Sequence, residues 1–253
     1  MLDGSVQAAA SAQCAARVAE LTERYGRLGE KQSGGAVLLN ALVRDEFPGR
    51  IAVVSSFGTE SAVLLAMAAE ADPSFPVFFI NTGKLFGETL RYRDTLAKAL
   101  GLTDIRTIGP TPEEVAAGDP DGLLFNRSYD ACCHLRKTVP LDRALVGVDA
   151  WVTGRKRFQS STRAALALFE AEEGTGRIKV NPLARWDRER IEDEFNRRNL
   201  PRHPLEADGF LSIGCFTCTE RVAPGADPRS GRWAGSAKTE CGIHTFSKTG
   251  TAQ

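Results

Sequence analysis

Ile51-Ala52-Val53-Val54 runs directly into Ser55-Ser56-Phe57-Gly58-Thr59-Glu60-Ser61, and a helix-compatible apolar run over residues 62–70 follows. The first piece has the length and β-branching of a buried strand, the second is a Ser/Gly turn, and the third has helical length. The same unit repeats downstream: Val77-Phe78-Phe79-Ile80 reads as a strand, Asn81-Thr82-Gly83 as a turn and residues 88–100 as a helix. Residues 104–108 supply a third strand and Trp151-Val152-Thr153 a fourth. Parallel neighbours need a crossover, so short apolar strands alternating with helices predict an α/β fold with a mainly parallel sheet flanked by helices. Ligands bind such sheets at the carboxyl ends of the strands. Three polar or Gly-rich turns fall there, at residues 55–61, 81–84 and 154–161.

On the N-terminal side, residues 6–28 and 36–43 read as helices, and Pro48-Gly49 ends them. Residues 129–146 read as one further helix. Beyond residue 205 the chain becomes rich in Gly, Pro, Thr and Arg, carries three cysteines and loses its periodicity. This divides one domain into N-terminal helices (1–48), a nucleotide-binding α/β core (49–205) and an irregular C-terminal segment (206–253). Lys plus Arg and Asp plus Glu both number 32, which gives no overall charge to attract nucleic acid or a membrane surface. No stretch approaches the roughly 20 apolar residues of a membrane helix, and the start Met1-Leu2-Asp3-Gly4 lacks the basic region of a signal peptide. The expected location is the cytoplasm, where thiols stay reduced.

That expectation shapes the reading of the six cysteines. Cys14 stands alone, Cys132-Cys133 are adjacent, Cys215 and Cys218 form C-x-x-C, and Cys241 lies near the end. A disulfide framework is not expected in a reducing compartment, whereas two tight pairs supply four thiolates for a closed metal site. Zinc and a cubane iron–sulfur cluster satisfy the count equally. Adjacent ligands on a helix diverge by about 100°, which a bulky cluster spans more easily than one small ion. In Glu240-Cys241-Gly242-Ile243-His244, Cys241 has the setting of a thiolate nucleophile, and equally that of an incidental tail cysteine. The turn at residues 55–61 suits a phosphate, because small residues let backbone N–H groups approach it at a helix N-terminus.

Together, Ser56 to Ser61, Asn81-Thr82-Gly83-Lys84, Cys132-Cys133-His134-Leu135-Arg136-Lys137, Gly154-Arg155, the C-x-x-C pair and E-C-G-x-H occur in an order that closely resembles one family. It is the phosphoadenylyl-sulfate reductase family, in its assimilatory, iron–sulfur-containing, thioredoxin-dependent adenylyl-sulfate reductase branch. The resemblance spans about residues 50–245. It implies an adenine-nucleotide α-hydrolase-like, Rossmann-like fold. It also implies reduction of adenosine 5′-phosphosulfate to sulfite and AMP through an S-sulfocysteine, with a thioredoxin or glutaredoxin-like reductant and a homo-oligomeric enzyme. Carried over residue by residue, Cys132, Cys133, Cys215 and Cys218 hold a [4Fe-4S] cluster, and Cys241 is the nucleophile. His244 lies near the reacting group, and Lys137 lies between cluster and substrate. Ser56, Phe57, Gly58, Thr59, Glu60 and Ser61 fall on the phosphate side and Thr82 and Gly83 on the nucleotide side, and Gly154 and Arg155 match the family's third turn. Arg163, Arg229 and Arg232 complete the substrate contacts.

The chain departs from the family's pattern at Asn81, where an acidic residue is usual, and at Phe216-Thr217, where the C-x-x-C pair usually encloses Pro. Three other readings compete. One is a 3′-phosphoadenylyl-sulfate or dual-specificity reductase. Another is a tRNA-thiolating ATP pyrophosphatase, whose S-G-G-x-D-S turn the Phe57 and Glu60 positions do not match. The last is a zinc-binding interaction module, which leaves Cys241 and His244 without a task.

Overall fold

The structure is a computed structural model that describes residues 4–28, 34–236, 238 and 240–245. Thr239 of the cysteine motif and residues 246–253 of the C-terminal segment lie outside the described residues. The chain opens with α1 (Gly4–Tyr25) and α2 (Gly34–Ala41), which widens into a π-helical turn at Leu42–Glu46. Then come β1 (Ile51–Ser55), α3 (Ser61–Ala71), β2 (Val77–Ile80), α4 (Gly87–Leu100) and β3 (Ile105–Ile108). Four short helices, α5 (Pro112–Gly118), α6 (Leu124–Arg127), α7 (Tyr129–Cys133) and α8 (Val139–Ala144), lead to β4 (Ala150–Val152). β5 (Phe169–Ala171), β6 (Ile178–Val180) and α9 (Arg188–Arg198) follow, with α10 (Gly242–Thr245) near the end.

The predicted parallel α/β sheet is present, in the order β3-β2-β1-β4-β6-β5. Only β5 runs antiparallel, paired with β6 at the sheet edge. Period-two alternation divides the central strands between two cores. Ile51, Val53, Val77, Phe79, Ala150 and Val152 join the larger core, whereas Ala52, Val54, Phe78, Ile80 and Trp151 join a second one with Leu141 and Leu145. Helix α3 is buried along almost its whole length against the first face. Strand order reverses between β1 and β4, so the loops after these two strands part and leave a crevice between them.

Three differences from the sequence reading have local causes. Residues 129–146 are not one α-helix, because a π-helical turn at His134–Thr138 separates α7 from α8. Pro140 has no N–H for the ladder, and its ring crowds the carbonyl four residues back, so the helix changes register ahead of it. Strands β5 and β6 have three residues each, too few to show a period. Helix α9 escaped notice because only Ile191, Glu194 and Phe195 of its 11 residues are buried, although Asp187 caps its start.

The irregular C-terminal segment is fastened across the carboxyl edge of the sheet. Leu85 and Cys215 form an antiparallel bridge, Phe216 N–H donates to Lys84 O at 2.9 Å, and Thr59 Oγ1 donates to Leu211 O at 3.2 Å. Among the described residues no helix is long and apolar enough to cross a membrane.

His203 fixes the start of this segment to α4. Its Nδ1 accepts from Leu205 N–H at 3.3 Å, so its protonated Nε2 faces Thr89 Oγ1 at 3.0 Å. Burial pushes the imidazole down to about 4, against a weaker upward pull from Glu88. Below the usual imidazole value the unfolded chain binds a proton that the folded chain refuses, so stability falls as pH drops from about 6.5 to about 4 and is level above. Denaturant titrations are expected to show about 2 kcal/mol less stability at about pH 5 than at about pH 7 from this group. The His203→Gln protein should lose that part of the slope. An unchanged slope would place the protonation elsewhere.

Candidate active site

A cavity of about 460 Å³ occupies the crevice between the ends of β1 and β4, with the C-terminal segment forming its far wall. Ser56, Gly58, Thr59, Glu60 and Ser61 line one side, and Thr82, Gly154, Arg155 and Arg163 line others. Lys137, Arg229, Arg232, Cys241 and His244 also reach it. Residues separated by almost 200 positions therefore share one space. The N-terminus of α3 opens into it at Ser61 and Leu64, with the positive end of an 11-residue helix.

Two of the expected contacts lie elsewhere. Phe57 does not line the cavity: its φ of 51° drives the side chain into the core, where it meets Phe79 edge-on at 5.3 Å. It anchors the turn and leaves the backbone facing the cavity. Gly83 also lies outside the lining; at a φ of +71° its N–H donates to Asn81 Oδ1 at 3.0 Å and closes the turn. The Asn81 amide thus closes the turn without an acidic residue.

Seven cationic side chains line the cavity (Lys137, Arg155, Lys156, Arg163, Arg188, Arg229 and Arg232) against three carboxylates (Glu60, Asp227 and Glu240). The carboxylates are already engaged. Glu60 takes Lys156 Nζ at 2.8 Å and Gln159 Nε2 at 2.6 Å, and Arg163 grips Glu240 at 2.6 Å. Asp227 accepts from Arg229 N–H at 2.7 Å. Burial, reinforced by Arg163, lowers Arg229 to about 10. Arg232 Nε is buried without a hydrogen-bond partner among the described residues. His244 stacks parallel to Trp151 with ring centroids 6.0 Å apart. Burial and the surrounding Arg155, Arg163, Lys179 and Arg229 hold His244 well below the imidazole range, so it is neutral.

Cys241 lies at the edge of this field, with Lys137 Nζ 3.8 Å from its Sγ. Hydrogen bonding from the Cys133 thiol, followed by Lys137 and Arg232, outweighs burial and lowers Cys241 well below the ordinary thiol value. Burial opposes the Lys137 charge, but Cys241, Cys215 and Cys133 more than restore it. The π-helical turn delivers Lys137 to this position, a frequent use of such turns at functional sites.

Comparison with known proteins bears directly on this cavity. The phosphoadenosine phosphosulfate reductase domain matches residues 50–221. A protein of Mesorhizobium japonicum named adenosine 5′-phosphosulfate reductase is 51% identical over 230 residues, covering 91% of this chain and 88% of that protein. The chain belongs to the phosphoadenosine phosphosulfate reductase family. The crystal structure of a phosphoadenylyl-sulfate reductase from Candida auris, a phosphate complex, has 28% identity and a TM-score of 0.60, and covers 75% of this chain and 98% of that one. Yeast FAD synthetase in complex with FAD matches at 16% identity and a TM-score of 0.51 over 85% of this chain and 76% of that one, a likeness of fold alone.

Of the two cysteine pairs, Cys215 alone is among the described residues that line the cavity. Cys132, Cys215 and Cys218 sit within one another's electrostatic field, and burial raises the thiols of Cys132 and Cys218. Thr82 Oγ1 lies 3.2 Å from Cys215 Sγ. Cys133 instead faces Cys241. Among the described residues no group of three or more His, Cys, Asp or Glu side chains is gathered closely enough to hold a metal ion. The donor chemistry, four thiols without a carboxylate or imidazole, fits an iron–sulfur cluster and equally a zinc ion. Between the C-x-x-C cysteines, Phe216 is half exposed and packs beside Phe86 at 6.4 Å. Its turn is held by Cys218 N–H donating to Cys215 O at 3.0 Å.

Sequence reasoning missed Lys156, Gln159 and Arg188, and it gave Glu240 no role. Lys156 directly follows Gly154-Arg155, and that continuation was the available signal. Asp119 had none: it is fully buried beneath Arg136, which it binds at 2.6 Å while Arg136 Nη1 donates to Thr82 O at 2.8 Å. Lys156 itself is 2% exposed, so Lys156→Met is expected to strand the Glu60 charge. Urea unfolding should show a loss of about 2–3 kcal/mol, with much of it regained in Lys156→Met/Glu60→Gln. No recovery in the double variant would mean that the lysine acts by packing alone.

Proposed function

We propose that this chain reduces adenosine 5′-phosphosulfate to sulfite and AMP, with Cys241 as nucleophile and a thioredoxin- or glutaredoxin-like dithiol as reductant. One observation carries the reading: Cys241 Sγ, with Lys137 Nζ at 3.8 Å, borders a cavity whose cations outnumber its carboxylates. The phosphosulfate supplies the missing negative charge. Its phosphate lies against the turn at Ser56, Gly58, Thr59 and Ser61, and its sulfonate lies towards Arg229 and Arg232, where a guanidinium suits bidentate contact with an oxyanion.

The Cys241 thiolate attacks the terminal sulfur, and the sulfur–oxygen bond breaks with its electron pair passing to the phosphate of AMP. Cys241 is left as S-sulfocysteine. A reductant thiolate then attacks Cys241 Sγ, the bond to the sulfonate sulfur breaks, and sulfite leaves with that electron pair. The reductant's second thiol resolves the mixed disulfide and frees Cys241. Lys137, Arg229 and Arg232 stabilise charge on the sulfonate and phosphate oxygens. Neutral His244 contributes hydrogen bonding and shape to this wall, not a positive charge.

Cys132, Cys133, Cys215 and Cys218 would hold a [4Fe-4S] cluster. When bound it would supply a polarising charge behind Lys137. All six cysteines are outside disulfides, so both pairs are available as thiolate ligands. Anaerobically prepared protein is expected to be brown with about four irons per chain, and Cys132→Ser should lose the iron. Stoichiometric zinc in colourless protein would remove the cluster from the reading.

Sulfur-labelled adenosine 5′-phosphosulfate, without reductant, should leave label on the peptide containing Cys241 alone. Cys241→Ser should bind nucleotide and release no sulfite. Label on another cysteine would overturn the mechanism. Parallel rates with the 3′-phosphorylated nucleotide decide between a single and a dual substrate.

A further inference from the structure

Glu240 directly precedes Cys241, and the reaction above gives it no step. Its carboxylate nevertheless receives Arg163 Nε on Oε2 and Arg163 Nη2 on Oε1, each at 2.6 Å, in a two-pronged pair. Both side chains are less than a tenth exposed, at 7% and 9%. Cys241 N–H donates to the same Oε1 at 2.9 Å, so one carboxylate holds both the arginine and the backbone of the reactive cysteine. The third nitrogen of the guanidinium, Nη1, turns to Gln159 Oε1. Gln159 Nε2 in turn donates to Glu60 at 2.6 Å. The cysteine backbone is thereby tied, through three side chains, to the turn that follows β1.

Arg163 therefore directs its fork at the C-terminal segment and not into the cavity. We propose that Arg163 and Glu240 form a latch in which Glu240 is a positioning residue, holding Cys241 against the bound phosphosulfate and releasing it to the reductant. The latch rests on the reading of Cys241 given above and adds a conformational requirement to it. Two partners meet the same sulfur in turn, a small nucleotide inside the cavity and then a protein thiol. While the pair is closed, Cys241 borders a cavity walled by the first turn and the arginines, and a protein surface needs the segment to swing outward.

A buried ion pair suits this task better than an apolar anchor. Its attraction is largely cancelled by the hydration that both ions lost, so separating the intact pair into water costs little. Removing one partner is different, because the other charge then stays in the wall without compensation. The segment can thus open reversibly in the native protein, while either single truncation weakens the closed state.

The test follows Cys241 in Glu240→Ala, Arg163→Ala and the double variant. Iodoacetamide modification of the Cys241 peptide is read by mass spectrometry on the pH plateau, where the thiol is fully ionised. Label transfer from adenosine 5′-phosphosulfate without reductant is read in a single turnover. Either truncation is expected to speed alkylation about tenfold and to slow label transfer about as much, with melting of the core unchanged. The double variant should be no worse than either single one, because all three lack the same contact. Glu240→Asp should recover part of the effect, and Glu240→Gln serves if the alanine protein folds poorly. Unchanged alkylation in Glu240→Ala, or an Arg163→Ala effect confined to nucleotide affinity, would overturn the latch. Failure of the wild-type protein to take up label overturns the nucleophile assignment instead, and the alkylation series still decides the latch by itself.

Discussion

Seven cationic side chains in one partly buried cavity repel one another, and the arrangement of the site is the answer to that repulsion. Like charges in a wall of low polarity raise the free energy of the fold unless something opposes them. Glu60 neutralises Lys156 below the first turn, and Glu240 neutralises Arg163 beneath the C-terminal segment. These carboxylates do not balance the whole set. Burial, reinforced by the neighbouring cations, lowers Arg229 and holds His244 neutral, and among the described residues Arg232 Nε has no hydrogen-bond partner. A cavity whose cations outnumber its carboxylates favours an oxyanion electrostatically.

The sheet makes such crowding possible. Its central strands are buried on both faces, so they are held rigidly by two cores. The reversal between β1 and β4 opens a crevice at their carboxyl ends without disturbing either core. The strain at Phe57 belongs to the same device, because a side chain driven into the core lets the following backbone turn towards the ligand. The fold places its stability in the cores and leaves charge to the rim.

The cysteines show how thiols of one chain acquire different surroundings. Burial raises the thiols of Cys132 and Cys218, whereas Cys241 Sγ has Lys137 Nζ beside it at 3.8 Å. Lys137 lies in the π-helical turn, and Pro140 is the local reason that turn exists. A proline in a helix thus determines where the Lys137 charge stands, 104 positions along the chain from the thiol it faces.

Local order along the sequence determined the α/β alternation, the two-sided strands around Val53 and Phe79, the phosphate-suited turn at Ser56 to Ser61 and the pairing of the cysteines. Each depends on neighbours within a few residues, where periodicity and turn chemistry act. The three-residue strands β5 and β6 carry too little pattern to be read, and α9 buries too narrow a face. Which residues turn into the cavity was decided by long-range packing: Phe57 was captured by Phe79, and Lys156 was drawn inward by Glu60 from 96 positions away. Arg163 and Glu240 are 77 positions apart and carry no shared signature. Their meeting exists only because the C-terminal segment crosses the carboxyl edge of the sheet, where two charges that leave water must find each other.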